Sequence, residues 1–401
     1  MLELGRALSL AGTAVSETQE RLIRVAAASG APDARIVVLP TALIISLGRG
    51  GFASVESIPQ MAGMMRLDQI SALYDLCEVA ELGEVRPADG LERLTTIRSM
   101  RPRHGVAVRL LAYAAMTAGL CLVLEPTAKD VAIATFLGAV VGALVLAAHE
   151  RPTLTILAPI LAATIVSALV FEAVQHELAD PGLRTMIAPL VTLLPGGVLT
   201  TATLELASGE MVAGASRLVF GGVQMLLLAF GIVAGVELAG LPDDTIAADV
   251  QTNLLGWWAA WLGVVLFGLA AFVYFSGPPG ALPWLMLVLV VAWLGQVLGG
   301  ALVGDDVSAF FGALAMTPVA LAIGRFGGPP PQVTFLPAFW LLVPGAIGLI
   351  GVTEVVGNPA EAGLEALVAP LGSIVSIALG VLGGISISRS TPLRARPGSR
   401  P

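Results

Sequence analysis

The segment LLPGGVLTTATLE, Leu193–Glu205, places a Pro-Gly-Gly and a carboxylate inside a long apolar run. A related segment, LVPGAIGLIGVTE, follows at Leu342–Glu354. Proline removes a backbone hydrogen bond from a helix, and in hydrocarbon the freed groups need partners from protein or from a water-filled cavity. The two segments therefore predict two interrupted helices at corresponding places in an apolar protein.

Composition indicates that the solvent of this chain is a lipid bilayer. Of its 401 residues 56% are apolar and only 12% are charged, and the mean hydropathy is +0.88. A soluble domain carries about 25% charged residues. The net charge of −8 argues against nucleic acid as a partner, because phosphate binding requires a basic surface. Cys77 and Cys121 lie in different kinds of segment and suggest no disulfide framework.

Residues 1–104 hold many of the charges and are predicted to form a small cytoplasmic α+β domain. Leu8–Ala28 has the pattern of an amphipathic helix, and Arg66–Leu82 and Pro87–Met100 predict two more. Arg35–Gly48 is rich in β-branched residues around a Pro-Thr and predicts two short strands. Acidic residues interrupt the first twenty positions, so we expect no cleaved signal peptide and a cytoplasmic N-terminus.

The rest of the chain predicts a polytopic α-helical membrane protein with ten transmembrane helices. Residues 105–240 would form a first five-helix membrane repeat, 241–390 a second one, and 391–401 a cytoplasmic tail. The predicted spans are Val106–Leu124, Val131–Ala148, Thr153–Val174, Met186–Leu206, Ser216–Leu238, Gly256–Phe275, Leu282–Val303, Val307–Ile323, Thr334–Val356 and Leu364–Ile387.

Arginines predict the orientation of these spans. Arg93, Arg98, Arg101 and Arg103 directly precede the first span, and four further arginines follow the last one. Positive charge favours the cytoplasmic side, so both termini are expected in the cytoplasm and the protein in the cell membrane.

An ungapped offset of 149 residues relates the two halves. It superposes Pro195 on Pro344 and Glu205 on Glu354, and it also aligns a GxxxG pair in each half, a spacing that lets helices approach closely. Since five spans is an odd number, the halves would cross the membrane in opposite senses. The pattern predicts the inverted repeat of many secondary transporters, with each half supplying one broken helix to a binding site.

The two breaks predict the site. A half-helix that begins after the break carries partial positive charge at its N-terminus, which would hold a substrate carboxylate. The threonine hydroxyls would line the path or, as an equal alternative, bond back to their own helix. Glu205 lies about 15 Å beyond Pro195 on a continuous helix, so it is either an interfacial acid or, in a deeper position, a proton carrier. The predicted path comprises Pro195, Gly196, Gly197, Thr200, Thr201, Thr203, Glu205, Pro344, Gly345 and Glu354.

The segment PGGVLTTATLELASGEMVAGASRLV, Pro195–Val219, resembles the signature region of the threonine/serine exporter family. AGTAVSETQERLIRVAAASG followed by VVLPTALIIS resembles the opening of that family's N-terminal domain. The resemblance implies a cytoplasmic domain before ten spans, and export of threonine and serine driven by the proton-motive force. Its partners would be a small amino acid, protons and the bilayer, and a homo-oligomer remains open.

Two other classes of function stay open on the sequence. An integral membrane enzyme acting on a lipid would need a polar cluster at one membrane face, for which Asp243, Asp244 and Asp249 are the best candidates. An uncoupled channel is the other alternative. The sequence contains no P-loop, GxSxG, HExxH or Cys-x-x-Cys motif, so we expect no catalysis, no metal, no cofactor, and energy from an ion gradient.

Overall fold

The computed structural model describes residues 1–47, 53–58, 65–124, 127–148, 151–176, 184–240, 255–304, 307–342 and 364–390. Pro344, Gly345, Glu354 and the tail 391–401 lie outside these ranges. The chain forms two compact units. The first unit combines Met1–Arg103 with Thr201–Val219 and Phe275–Pro278, and the second contains the rest of the chain.

The N-terminal region contains helices and a small sheet, as predicted. Its elements are α1 (Leu2–Leu10), α2 (Val15–Ala28), β1 (Arg35–Leu39), β2 (Ala42–Ser46), β3 (Ala53–Ser57), α3 (Leu67–Glu81) and α4 (Pro87–Ser99). The three strands are antiparallel in the order β1-β2-β3, and their register aligns Val37 with Ile44 and Ile44 with Val55. Alternate residues of β1 and β2, such as Val38 and Leu43, are buried in the core.

One prediction for this region was wrong, and one strand was not predicted. Leu8–Ala28 is not one helix, because the chain leaves the helical path after Leu10 and Gly12 adopts a φ of +79°. Positive φ is natural only for glycine, so this residue separates α1 from α2. The third strand was not predicted, because Ala53–Ser57 is short, polar and mostly exposed.

The remaining helices are apolar. They are α5 (Val106–Val123), α6 (Ala128–Ala148), α7 (Pro152–Gln175), α8 (Arg184–Leu190), α9 (Gly196–Ala207), α10 (Met211–Ala239), α11 (Trp258–Tyr274), α12 (Leu282–Val303), α13 (Ser308–Arg325), α14 (Pro331–Leu341) and α15 (Leu364–Ser390). Seven described helices are long and apolar enough to cross a membrane, and the bent pair of α8 and α9 makes eight. The shorter α11 is also apolar. A mostly helical multi-pass architecture is therefore confirmed, whereas the count of ten and the inverted repeat stay predictions.

Glycines allow these helices to approach one another closely. A Cβ added at Gly119 of α5 would lie 2.5 Å from the backbone nitrogen of Phe267 in α11. One added at Gly263 of α11 would lie 2.6 Å from the carbonyl oxygen of Gly119. Real Cβ atoms do not come this close to backbone, so both positions require glycine at the crossing of α5 and α11.

The GxxxG pairs of the two halves make matching contacts. In α10, Gly231 and Gly235 pack against the backbone of α7, where added Cβ atoms would lie 2.7 Å and 2.6 Å from carbonyl oxygens. In α15, Gly380 packs against the backbone of α13 at Phe310, whereas a Cβ added at Gly384 would lie 2.5 Å from the side chain of Thr317 in α13. Each pair thus joins the fifth predicted span of its half to the third.

We expect Gly235→Leu to lower the thermal stability of the purified protein, because its side chain would overlap α7 backbone and cost about 1–3 kcal/mol. Gly222→Leu on the same helix is the matched control, since no described atom lies within 4 Å of a Cβ added there. Melting temperatures in detergent check the prediction. Equal melting temperatures for the two variants would contradict the close contact between α7 and α10.

Candidate functional site

The apolar run around Pro195 is broken as predicted. Helix α8 ends at Leu190, a 3-10 turn covers Val191–Leu193, and α9 begins at Gly196, with a bend of 60° between the two parts. Leu194 is extended, with φ −69° and ψ 128°, as expected for a residue before proline. The break leaves a helix N-terminus in the middle of an apolar segment, and such an end points several backbone N–H groups away from the helix.

Side chains from two other helices satisfy carbonyl groups beside the break. The hydroxyl of Tyr113, in α5, donates to the carbonyl oxygen of Pro189 at 2.9 Å and lies 2.7 Å from the hydroxyl of Thr192. The amide of Gln224, in α10, donates to the carbonyl oxygen of Leu193 at 2.7 Å. The ring of Tyr113 is fully buried, so water does not replace its bond to Pro189, and the bond of Gln224 is part-buried. The break is therefore held in a defined conformation.

A buried carboxylate holds the start of α8. Asp130 is 5% exposed and accepts hydrogen bonds from the backbone and the hydroxyl of Thr127, at 2.9 Å and 2.7 Å. Its other oxygen accepts from the hydroxyl of Thr185 at 3.1 Å. The first two bonds cap the N-terminus of α6, and the third joins α6 to α8. Asp130 was not among the predicted site residues, although Thr-x-x-Asp before an apolar run is a capping signal.

The predicted residues of the first break occupy distinct positions around α9. Pro195 and Gly196 are buried, and the hydroxyl of Thr200 donates to the carbonyl of Gly196 at 2.9 Å, which is the back-bonded alternative. Thr201 and Thr203 are half-buried. A Cβ added at Gly197 would meet no described atom within 4 Å, so there is space beside the first turn of α9.

Glu205 lies at the far end of α9 and belongs to the first compact unit. It is only 1% exposed. The backbone N–H of Val15, the first residue of α2, donates to its Oε1 at 3.1 Å. Arg217 places Nε 3.1 Å from its Oε2 in an ion pair whose N–H is not aligned as a hydrogen bond. The carboxylate is thus a buried group with two partners from distant segments.

A tight turn brings Arg217 to Glu205. After α9 the backbone N–H of Gly209 donates to Leu206 at 3.1 Å and that of Glu210 to Glu205 at 2.8 Å, and Gly209 has a φ of +87°. These two bonds and the left-handed glycine form a Schellman motif, which ends α9 and reverses the chain into α10. Gly214 then packs against α9, where an added Cβ would lie 2.7 Å from the carbonyl oxygen of Ala202. The Ser-Gly at 208–209 was the available signal for this hairpin.

Together, the apolar helices define a multi-pass membrane protein, and within the described ranges one bent helix pair has a break that other helices support. The family model described as "ThrE: Putative threonine/serine exporter" matches residues 1–239, and the chain belongs to this family. That membership supports a transporter as the class of function. It is consistent with the absence of the enzyme motifs in the sequence.

The chain is also similar to parts of larger fungal proteins. It is 23% identical to an uncharacterized Schizosaccharomyces pombe protein over 366 residues, which cover 88% of this chain and 48% of that protein. It is 23% identical to pheromone-regulated membrane protein 10 of Saccharomyces cerevisiae over 372 residues, covering 86% of this chain and 46% of the yeast protein. The chain therefore spans about half the length of these relatives. No solved structure matches it.

We expect Tyr113→Phe and Gln224→Met each to lower stability by about 1–3 kcal/mol, because each leaves a carbonyl beside the break without its donor. Gln175→Met is the control for Gln224, since Gln175 donates to the carbonyl of Ala239 at an exposed position, where water can replace it. Denaturation in detergent measures the differences. A loss in Gln175→Met as large as in Gln224→Met would contradict a special requirement at the break.

Proposed function

We propose that this protein is a secondary active transporter that exports threonine, serine or similar small amino acids in exchange for protons. Family membership supports the transporter class. The observation that carries the proposal is the broken span, whose carbonyls are bonded by Tyr113 and Gln224 while space remains beside Gly197. A break of this kind in apolar surroundings is typical of transporter binding sites.

The first turn of α9 would hold the substrate carboxylate. The partial positive charge of this helix end suits an anion, and no described atom lies within 4 Å of a Cβ added at Gly197. Thr201 and Thr203, which are half-buried on the next turn, would contact the hydroxyl and ammonium groups of the substrate. Thr200 would contribute only its oxygen as an acceptor, since its proton bonds to Gly196.

The second break, at Pro344 and Gly345, would complete the site from the other half. An inverted repeat is supported by the matching contacts of the two GxxxG pairs, α10 with α7 and α15 with α13. The 149-residue offset also brings Thr185, which is buried at the start of α8, onto Thr334, which is buried near the start of α14. Equivalent positions thus share both burial and residue type before the two breaks.

Contacts within the first unit support the proposed threading. The N-terminal region is bonded to Glu205 through Val15, and the backbone N–H of Leu67 donates to the carbonyl of Phe275 at 3.0 Å. The ends of α9 and α11 would therefore lie on the same side as this charged region. The chain must then cross the membrane an even number of times from α5 to α9. Because α5, α6 and α7 give three crossings, the bent pair of α8 and α9 would be the fourth. The same placement also requires α11 to cross.

Arginines before α5 would place this side in the cytoplasm. The same rule places the tail in the cytoplasm and the protein in the cell membrane. Glu205, which is buried at the end of α9, and Glu354 are the proposed proton carriers, because buried acids in transporters commonly serve proton relays.

Transport by inside-out membrane vesicles tests the function. With an acidic lumen, we expect labelled threonine or serine to accumulate several-fold, and a protonophore should abolish the accumulation. An absence of gradient-dependent accumulation rejects both the substrate and the coupling. Equilibration that ignores the gradient would indicate the uncoupled channel instead.

Substitution of Thr201 or Thr203 by valine should raise the KM for threonine by about tenfold, equivalent to about 1.4 kcal/mol of lost binding. The proposed contacts to polar substrate groups are removed, while side-chain volume is nearly kept. Thr153→Val, at an exposed position in the first turn of α7, is the matched control. The same uptake assay measures the KM of the test variants and of the control. An unchanged KM in both Thr201→Val and Thr203→Val would remove these threonines from the proposed site.

A further inference from the structure

Two consecutive helices and one segment that is distant in sequence meet at the carboxylate of Glu205. They are the start of α2, the end of α9 and the first part of α10, and all belong to the first compact unit. Val15 donates to one oxygen at 3.1 Å, and Arg217 lies 3.1 Å from the other. Val15 and Glu205 are separated by 190 residues. Neither the end of α9 nor the packing of its neighbouring helices by itself requires an acidic residue at position 205.

The carboxylate acts as an N-cap supplied from another helix. The N-cap residue of α2 is Ala14, which has no side-chain acceptor for the first N–H groups of the helix. A carboxylate near a helix N-terminus is stabilised by the partial positive charge of that end. Glu205 is 1% exposed, and the side chain of Arg217 is 12% exposed, so the bond and the ion pair are largely shielded from water.

Glu205 is also at the free end of a half-helix. It lies ten residues after Pro195, and therefore about 15 Å from the break along α9. A rotation of α9 by about 15° at the break would move this end by about 4 Å, which exceeds the range of a hydrogen bond. The contact with Val15 is therefore sensitive to the angle of α9.

We propose that Glu205 is a positioning residue that couples the N-terminal domain to the tilt of α9. The bond to Val15 forms in the conformation described here and breaks when α9 rotates about Pro195 during transport. The N-terminal domain thereby stabilises one of the two states and sets the rate of their exchange. The role in transport rests on the proposed function, whereas the link between α2 and α9 does not.

Val15→Pro tests the link by removing only the donor. Val15 is the first helical residue of α2, a position where proline is well tolerated. Ala14 has ψ 149°, which suits a residue that precedes proline. Val15→Ala is the matched control, because it keeps the N–H while it removes most of a side chain that is only 2% exposed.

Hydrogen exchange of the intact protein in nanodiscs is the first measurement. We expect Val15→Pro to speed exchange at least tenfold at the C-terminal turn of α9 as well as at the start of α2, and Val15→Ala to leave α9 unchanged. Glu205→Met, which offers no oxygen to accept the N–H of Val15, should act in the same direction as Val15→Pro. The double variant should be no faster at α9 than the more affected single variant, because both changes break one link. Unchanged α9 exchange in Val15→Pro would overturn the proposal.

Transport kinetics in the inside-out vesicles are the second measurement. Val15→Pro should change the maximal rate at least threefold while the KM for threonine stays within twofold, because it alters the exchange between states and leaves the site intact. If hydrogen exchange is faster in Val15→Pro but the maximal transport rate is unchanged, Glu205 is only a static cap of α2. That result would overturn the proposed coupling between the N-terminal domain and the tilt of α9. If the unmodified protein carries no threonine, the proposed function fails, and the exchange data still decide whether α2 and α9 are linked.

Discussion

The structure depends on how backbone polar groups are satisfied where Pro195 interrupts an apolar helix. In such surroundings an unpaired carbonyl is costly, so a break persists only where other parts of the protein meet it. Here Tyr113 and Gln224 supply the donors, from positions 76 and 31 residues away from their acceptors. The break is therefore a tertiary feature, although a local sequence specifies where it falls. The same bonds also fix the direction in which α9 starts.

The two ends of α9 have different chemistry. At the start lie a buried proline and two glycines, and the partial positive charge of a helix N-terminus suits an anionic ligand. At the end, a Schellman motif and a buried ion pair hold Glu205 with Arg217. The boundary between the compact units falls within this helix, between Thr200 and Thr201.

The sequence predicted features that local physics determines. Apolar length located the spans, the Pro-Gly located the first break, and the GxxxG spacing marked positions of close helix contact. It did not predict partners, because contacts such as that of Glu205 with Val15 depend on the packing of segments 190 residues apart. It also failed where one residue overrides a periodic pattern, as Gly12 does between α1 and α2. Tyr113 was missed because a buried tyrosine in an apolar helix has the same pattern as a core residue.

The two halves of the chain match in packing more closely than in polarity. Both GxxxG pairs contact the equivalent helix of their own half, α10 with α7 and α15 with α13. The same helix packing therefore occurs in both halves. The sequence after Pro195 contains three threonines before its glutamate, whereas the corresponding stretch after Pro344 contains one, directly before Glu354. Packing constraints act equally on both halves, but a ligand with one carboxylate and one side chain is not symmetric. A site between the halves would therefore need different side chains from each, with the polar contacts concentrated beside the first break.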